Sequence, residues 1–183
     1  MNYFWDNIFK RPKKEDEVRF ALKENFLFKD LSERELNLVQ GVVHIRQYHS
    51  GEPIFRQGEI GVGMYIIVSG RVEIYVTDEG ASLEDGHDIF ITQLLNGDFF
   101  GEISLVEDNG RRTGSAIARD ETTVIGFFKP DLLEILKRSP NSGIKILFRL
   151  AEVLGRRLKE TTGKVSELRR ALKDVSAPPP TEV

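Results

Sequence analysis

FFGEISLVEDNGRRTGS, residues 99–115, carries the densest chemistry in the chain. Phe99 and Phe100 are an apolar anchor and Gly101 lets backbone approach closely. Glu102-Ile103-Ser104-Leu105-Val106 reads as one helical turn whose leading amides lack intrahelical partners. Amides of that kind, at the positive end of a helix dipole, suit a phosphate. Arg112 follows ten residues after Glu102. Its planar cation can hold two phosphate oxygens at once, and the hydroxyls of Thr113 and Ser115 can donate to the same anion. An ionised Glu102 only accepts, so it needs a donor such as a sugar hydroxyl. Phosphate on one side and a ribose hydroxyl on the other describe a nucleotide. The same Glu and Arg could instead form a surface ion pair beside an ordinary loop.

Around this stretch the pattern alternates with period two and is punctuated by glycine. VVHIRQY, EPIFRQG, GMYIIVSG, RVEIYVTD and HDIFITQLL precede it, and SAIARDETTVIGFF follows. Six or more short strands separated by turn signals predict an all-β roll or barrel. Ser69-Gly70 reads as a tight hairpin between two of these strands, and the acidic run Thr77 to Asp88 as an exposed hairpin tip. Ahead of the strands, a helix is plausible from Glu15 to Phe28. A clearer one begins at Ser32, which can cap it with Glu35 at the capping-box position. A small β-roll also suits a cupin-like metalloenzyme, but that needs histidines and a carboxylate on facing strands. His44, His49 and His87 have no such spacing.

The 183 residues are enough for one domain with extensions, and 40% hydrophobic content suits a folded core. The net charge of −3 gives no reason to expect nucleic acid as a partner, and the absence of cysteine removes disulfides and thiol chemistry. No apolar run reaches the ~20 residues of a membrane span and no signal-peptide core opens the chain, so a cytoplasmic location is the expectation. Residues 1–14 form an aromatic and basic extension, with Phe4, Trp5, Ile8 and Phe9 on one face before Lys10, Arg11, Lys13 and Lys14. Such a face docks on its own domain or on a partner more often than on a membrane.

Phe100-Gly101-Glu102-Ile103-Ser104-Leu105, followed by Arg112-Thr113-Gly114-Ser115, resembles the phosphate-binding cassette of the cyclic nucleotide-binding domain family. The likeness extends over about residues 25 to 172, in the order helices, β-roll, terminal helices. It implies a mainly β fold: a β-roll of jelly-roll type with N-terminal helices and a long C-terminal dimerisation helix. It also implies that Glu102 takes the ribose 2′-hydroxyl and Arg112 the cyclic phosphate. Backbone near Gly101, Ile103 and Ser104 then completes the cradle. The ligand would be cyclic AMP or cyclic GMP, with no other cofactor, no metal and no catalysis. Thr113 directly after Arg112 is also similar to cyclic nucleotide-gated channel and cyclic GMP-dependent kinase sites, where that threonine can favour guanine.

Pro130 to Leu136 predicts a short helix and Pro140 opens a long one. Ile144, Leu147, Ala151, Leu154, Leu158, Thr161, Val165, Leu168, Leu172 and Val175 step by three and four. That is a coiled-coil seam over about four heptads, so a parallel homodimer is expected. Arg156, Arg157, Arg169 and Arg170 read as its solvated face. Thr161 and Thr162 are either tolerated small side chains that fix register or, through a resemblance to the dimer helix of the catabolite activator family, ligand-binding residues that read the base. Only Lys173 to Val183 remains beyond, with three prolines and no space for a recognition helix. The expected organisation is an extension (1–14), a cyclic nucleotide-binding roll (15–139), a dimerisation helix (140–175) and a disordered tail (176–183). The functional expectation is a stand-alone cyclic nucleotide sensor that signals to an unknown effector protein. A ligand-independent scaffolding dimer is the alternative.

Overall fold

The computed structural model describes residues 16–77 and 88–176. The extension 1–14, the hairpin tip between Thr77 and Asp88, His87 and the tail from residue 177 lie outside the described residues, as does the side chain of Val175.

A helix over residues 16–24 (α1) is shorter than the Glu15–Phe28 expectation. It ends because the buried Asn25 takes the Leu27 amide on its side-chain oxygen at 3.0 Å, which turns the chain into successive tight turns. The helix Glu33–Gln40 (α2) begins where predicted, with the reciprocal Ser32 and Glu35 capping box in place.

Among the described residues, eight strands follow: His44–Tyr48 (β1), Pro53–Phe55 (β2), Gly63–Ser69 (β3), Val72–Thr77 (β4), Asp88–Leu94 (β5), Phe99–Phe100 (β6), Ser115–Ala118 (β7) and Thr122–Phe128 (β8). They make two four-stranded sheets, ordered β1-β8-β3-β6 and β2-β7-β4-β5, with every pairing antiparallel. This is the expected β-roll with flanking helices.

Period-two alternation divides the core in two. On β3 and β8, Tyr65, Ile67 and Val124 point into the roll with Ile54, Val72, Phe100 and Ala116. Met64, Ile66, Ile125 and Phe127 point out and are covered by the helices through Leu22, Leu36, Ile135, Ile146 and Leu150. The helices therefore lie against one sheet only. The other is left to shape a cavity.

Ser69-Gly70 is not a hairpin. β3 and β4 belong to different sheets, so these residues form the corner where the chain changes sheet. Gly70 has φ +93°, and a Cβ there would lie 2.5 Å from Thr122 Oγ1 and 2.7 Å from the Glu121 carbonyl oxygen. The glycine serves a close crossing rather than a two-residue turn.

The helix Lys129–Arg138 (α3) leads into Pro140–Ser176 (α4), 37 residues long. Glu35 ties α2 to the start of α4. Its carboxylate accepts from Lys145 Nζ at 2.8 Å, Ser142 Oγ at 3.0 Å and the Ser32 amide at 2.7 Å. Lys145, followed by the Ser32 amide, holds this carboxyl at about 2, against an ordinary 4.5. A depressed acid stabilises the fold above its unfolded value, and that contribution is lost as protons bind. The urea midpoint should therefore fall between pH 4.5 and pH 2. Glu35→Gln should be less stable near neutrality and show a flatter acid limb. Parallel acid limbs in the two proteins would refute the linkage.

Candidate functional site

The turn after β6 is a single 3-10 turn, Glu102–Leu105, entered through Gly101 at φ +77°. A Cβ at Gly101 would lie 2.4 Å from Arg112 Nη1, so the glycine supplies both the left-handed backbone and the space for the guanidinium. Arg112 is fixed from its own backbone outward. Its amide donates to the Glu59 carbonyl at 2.8 Å and its carbonyl accepts from the Gly58 amide at 2.9 Å. A single β-bridge pairs Ile60 with Arg111 between them.

The Arg112 side chain is buried. Nη2 donates to the Gly63 carbonyl at 2.8 Å, and Nη1 to Ser104 Oγ at 3.1 Å and more weakly to the Gly101 carbonyl at 3.3 Å. Its guanidinium lies 4.0 Å over the Phe55 ring. Nε is buried with no hydrogen-bond partner. Burial pushes the group below its ordinary value, opposed by Tyr65, Glu59 and Glu102. A permanent cation held on neutral carbonyls, with a donor unspent, is a site for an anion.

Glu102 lies beside it with its side chain 3% exposed. Its Oε1 accepts from Arg157 Nη1 at 2.6 Å, and Arg157 also donates to the Phe99 carbonyl at 3.2 Å. Arg157 belongs to α4, so this ion pair joins the cassette to the long helix.

These groups line one cavity of about 250 Å³. Its lining combines the apolar Phe55, Ile74, Leu94, Phe99 and Phe100 with the charged Glu102, Glu107, Arg111, Arg112 and Arg157. Of the sequence-derived candidates, Gly101, Glu102, Ile103, Ser104, Arg112 and Thr113 converge here. Ser115, Thr161 and Thr162 are not in the lining. Ser115 Oγ instead accepts the Gln57 amide at 3.0 Å. Thr161 and Thr162 are exposed on α4, each donating to a carbonyl one turn back, those of Arg157 and Leu158, at 2.8 Å. The Ser104 amide is used within its own turn, on the Gly101 carbonyl at 3.2 Å.

The family described as cyclic nucleotide-binding domain matches residues 45–139. The chain belongs to this family. Its cyclic nucleotide-binding domain is similar to the cyclic AMP receptor protein of Thermus thermophilus, with 34% identity over 139 residues, 76% of this chain and 60% of that protein. It is also similar to a cAMP-dependent protein kinase regulatory subunit of Mycosarcoma maydis, with 32% identity over 150 residues, 79% of this chain and 26% of that one. The crystal structure of the Thermus thermophilus catabolite activator protein matches with a TM-score of 0.69 at 33% identity, over 79% of this chain and 63% of that chain. The chain thus spans less than two thirds of the length of these relatives.

Sequence reasoning missed Arg157 as part of the site. Read as solvated coiled-coil surface, it is an ion-pair partner of a buried carboxylate 55 positions away. The available signal was its place on the helix: Leu150 and Val153, which bury on the roll, lie seven and four residues before it on the same face. Arg156, beside it, stacks 4.9 Å from the Phe26 ring.

Removing one member of a pair that buries the other leaves a desolvated charge. Because Arg157 is itself half-exposed, Arg157→Met should cost about 1–3 kcal/mol in urea unfolding. Adding Glu102→Gln should recover most of the loss. Additive losses in the double variant would show that the pair is not coupled.

Proposed function

We propose that this chain is a cyclic nucleotide sensor. The phosphate sits against Arg112, the ribose 2′-hydroxyl donates to Glu102, and the apolar lining of Phe55, Ile74 and Leu94 accommodates the remainder. The observation that carries this reading is the convergence, in one cavity, of a buried arginine with an unspent donor and a buried carboxylate. The relatives named for cyclic AMP support that nucleotide as the first ligand to test. Thr113, exposed in the same lining, keeps cyclic GMP as the comparison.

The signal leaves through α4. A ribose hydroxyl at Glu102 meets a carboxylate already held by Arg157, so seating the ligand alters an ion pair that spans cassette and helix. Ile144, Ala151, Leu158 and Val165 recur at seven-residue steps and are exposed. Leu147 and Leu154, placed in the seam by sequence, pack instead toward the roll. We take the exposed line to be the contact with a second copy, as a parallel pair of helices. Thr161 continues the Arg157 face and Thr162 the Leu158 face, which suits one threonine reading the base in its own subunit and the other across the dimer. An effector protein would distinguish the two arrangements of the pair.

A ligand-independent scaffold is favoured by one observation: Arg112 already braces Gly63, Gly101 and Ser104. Calorimetric titration of nucleotide-free protein with cyclic AMP and cyclic GMP separates the readings. Arg112→Ala should weaken binding by at least about 100-fold, the equivalent of two charge-assisted hydrogen bonds. Arg112→Lys should fold and bind weakly. No heat from either nucleotide in folded wild-type protein would select the scaffold. Leu158→Asp should give monomers in sedimentation velocity, and a variant that remained dimeric would exclude the α4 contact.

A further inference from the structure

GRRTGS places two arginines in sequence, and the site reading uses only the second. The two differ in burial and in what holds them. Arg112 is 6% exposed and braced on three protein oxygens. Arg111 is exposed and lines the mouth of the same cavity, with Nη1 donating to the Gly58 carbonyl at 2.6 Å. The cavity's charged groups are Arg111, Arg112 and Arg157 against Glu102 and Glu107, a surplus of one positive charge. Arg157 is paired with Glu102, and Glu107 folds back over Gly110, where a Cβ would meet its Oε2 at 2.0 Å. A surplus of one cation matches a phosphodiester monoanion.

The chain as a whole is acidic, at net charge −3. Its long-range field therefore repels an anionic ligand, and capture depends on short-range cations at the entrance. A buried arginine is poorly placed for this, because it meets the ligand only after the ligand has shed water. An exposed arginine on the adjacent residue, tethered at one nitrogen so that its charge stays over the mouth, is well placed.

We propose that Arg111 is the capture cation of this site, meeting the phosphate at the cavity mouth and passing it to Arg112. The proposal rests on the reading of the cavity as a cyclic nucleotide site. It assigns Arg111 to the association step and Arg112 to the seated complex. The competing role is purely structural: the Gly58 contact could staple the loop that pairs with residues 110–112.

The test is stopped-flow binding of cyclic AMP carrying a fluorophore on its base, over a range of salt, to wild type, Arg111→Gln and Arg111→Lys. Arg111→Gln should slow association about fivefold to tenfold at low salt and flatten its salt dependence, with dissociation within about twofold of wild type. Arg111→Lys, which keeps the charge and loses the fork, should retain most of the association rate. Faster dissociation in both variants at unchanged association would make Arg111 a loop staple and overturn the proposal. So would unchanged kinetics in Arg111→Gln. Melting curves of both variants show whether the loop has loosened. A wild type that binds neither cyclic AMP nor cyclic GMP in calorimetry would overturn the site reading itself, a result distinct from binding that ignores Arg111.

Discussion

The structure turns on burying one guanidinium without giving it a carboxylate. Arg112 is braced through Nη1 and Nη2 by the carbonyls of Gly63 and Gly101 and the hydroxyl of Ser104, so the first residue of β3, the entry to the cassette turn and the turn itself must all meet at one point. Each condition has a sequence consequence. Gly101 is glycine because a Cβ would occupy the Nη1 position. Residues 58–61 pair with 110–112 because the Arg112 backbone must be held as firmly as its side chain. Phe55 supplies a ring face that a desolvated cation can rest on. A carboxylate in the same place would neutralise the arginine and remove the attraction for a phosphate; carbonyl oxygens hold it and leave the charge uncompensated.

Glu102 has the opposite arrangement. Its charge is compensated, but by a residue on another element, and that makes the turn a junction. The first part of α4 is anchored on the roll through Ile146, Leu150, Val153 and Leu154, and Arg157 lies one turn beyond Val153 on the same face. Beyond it the described helical residues are exposed. The ion pair thus sits where α4 passes from packed to exposed. Glu102 meets α4 at the end of the stretch that its own domain holds.

What was legible in the sequence was local chemistry. The Ser32 and Glu35 capping box needs only neighbouring residues, and it formed as read. The cassette is legible because its glycine, carboxylate, turn and arginine lie within one stretch of a dozen residues, 101–112, and the glycine-punctuated strands because alternation is a local property. The misreadings share a cause. Ser69-Gly70 has the composition of a hairpin, yet pairing partners decide whether two successive strands share a sheet, and those partners, β8 for β3 and β7 for β4, lie some fifty residues downstream. The shortened α1 reflects a single buried asparagine turning its side chain inward. Arg157 looked solvated because a heptad count gives the period of a helix and not its phase.

Phase is where α4 carries most of its information. Leu150, Val153 and Arg157 face the roll, while Ile144, Ala151 and Leu158 face away. Thr161 lies one turn beyond Arg157 and Thr162 one turn beyond Leu158. Successive residues on a helix are separated by about 100°, so the two threonines belong to different faces although they are adjacent in sequence. Both sets of residues sit on one helix, so α4 cannot turn far without taking Arg157 away from Glu102. On the roll side α4 is held by Leu150, Val153 and the Arg157–Glu102 ion pair, while Ile144, Ala151 and Leu158 form an exposed apolar line. A rotation that displaced Arg157 from Glu102 would carry the exposed apolar line with it, because one rigid helix fixes the register of both.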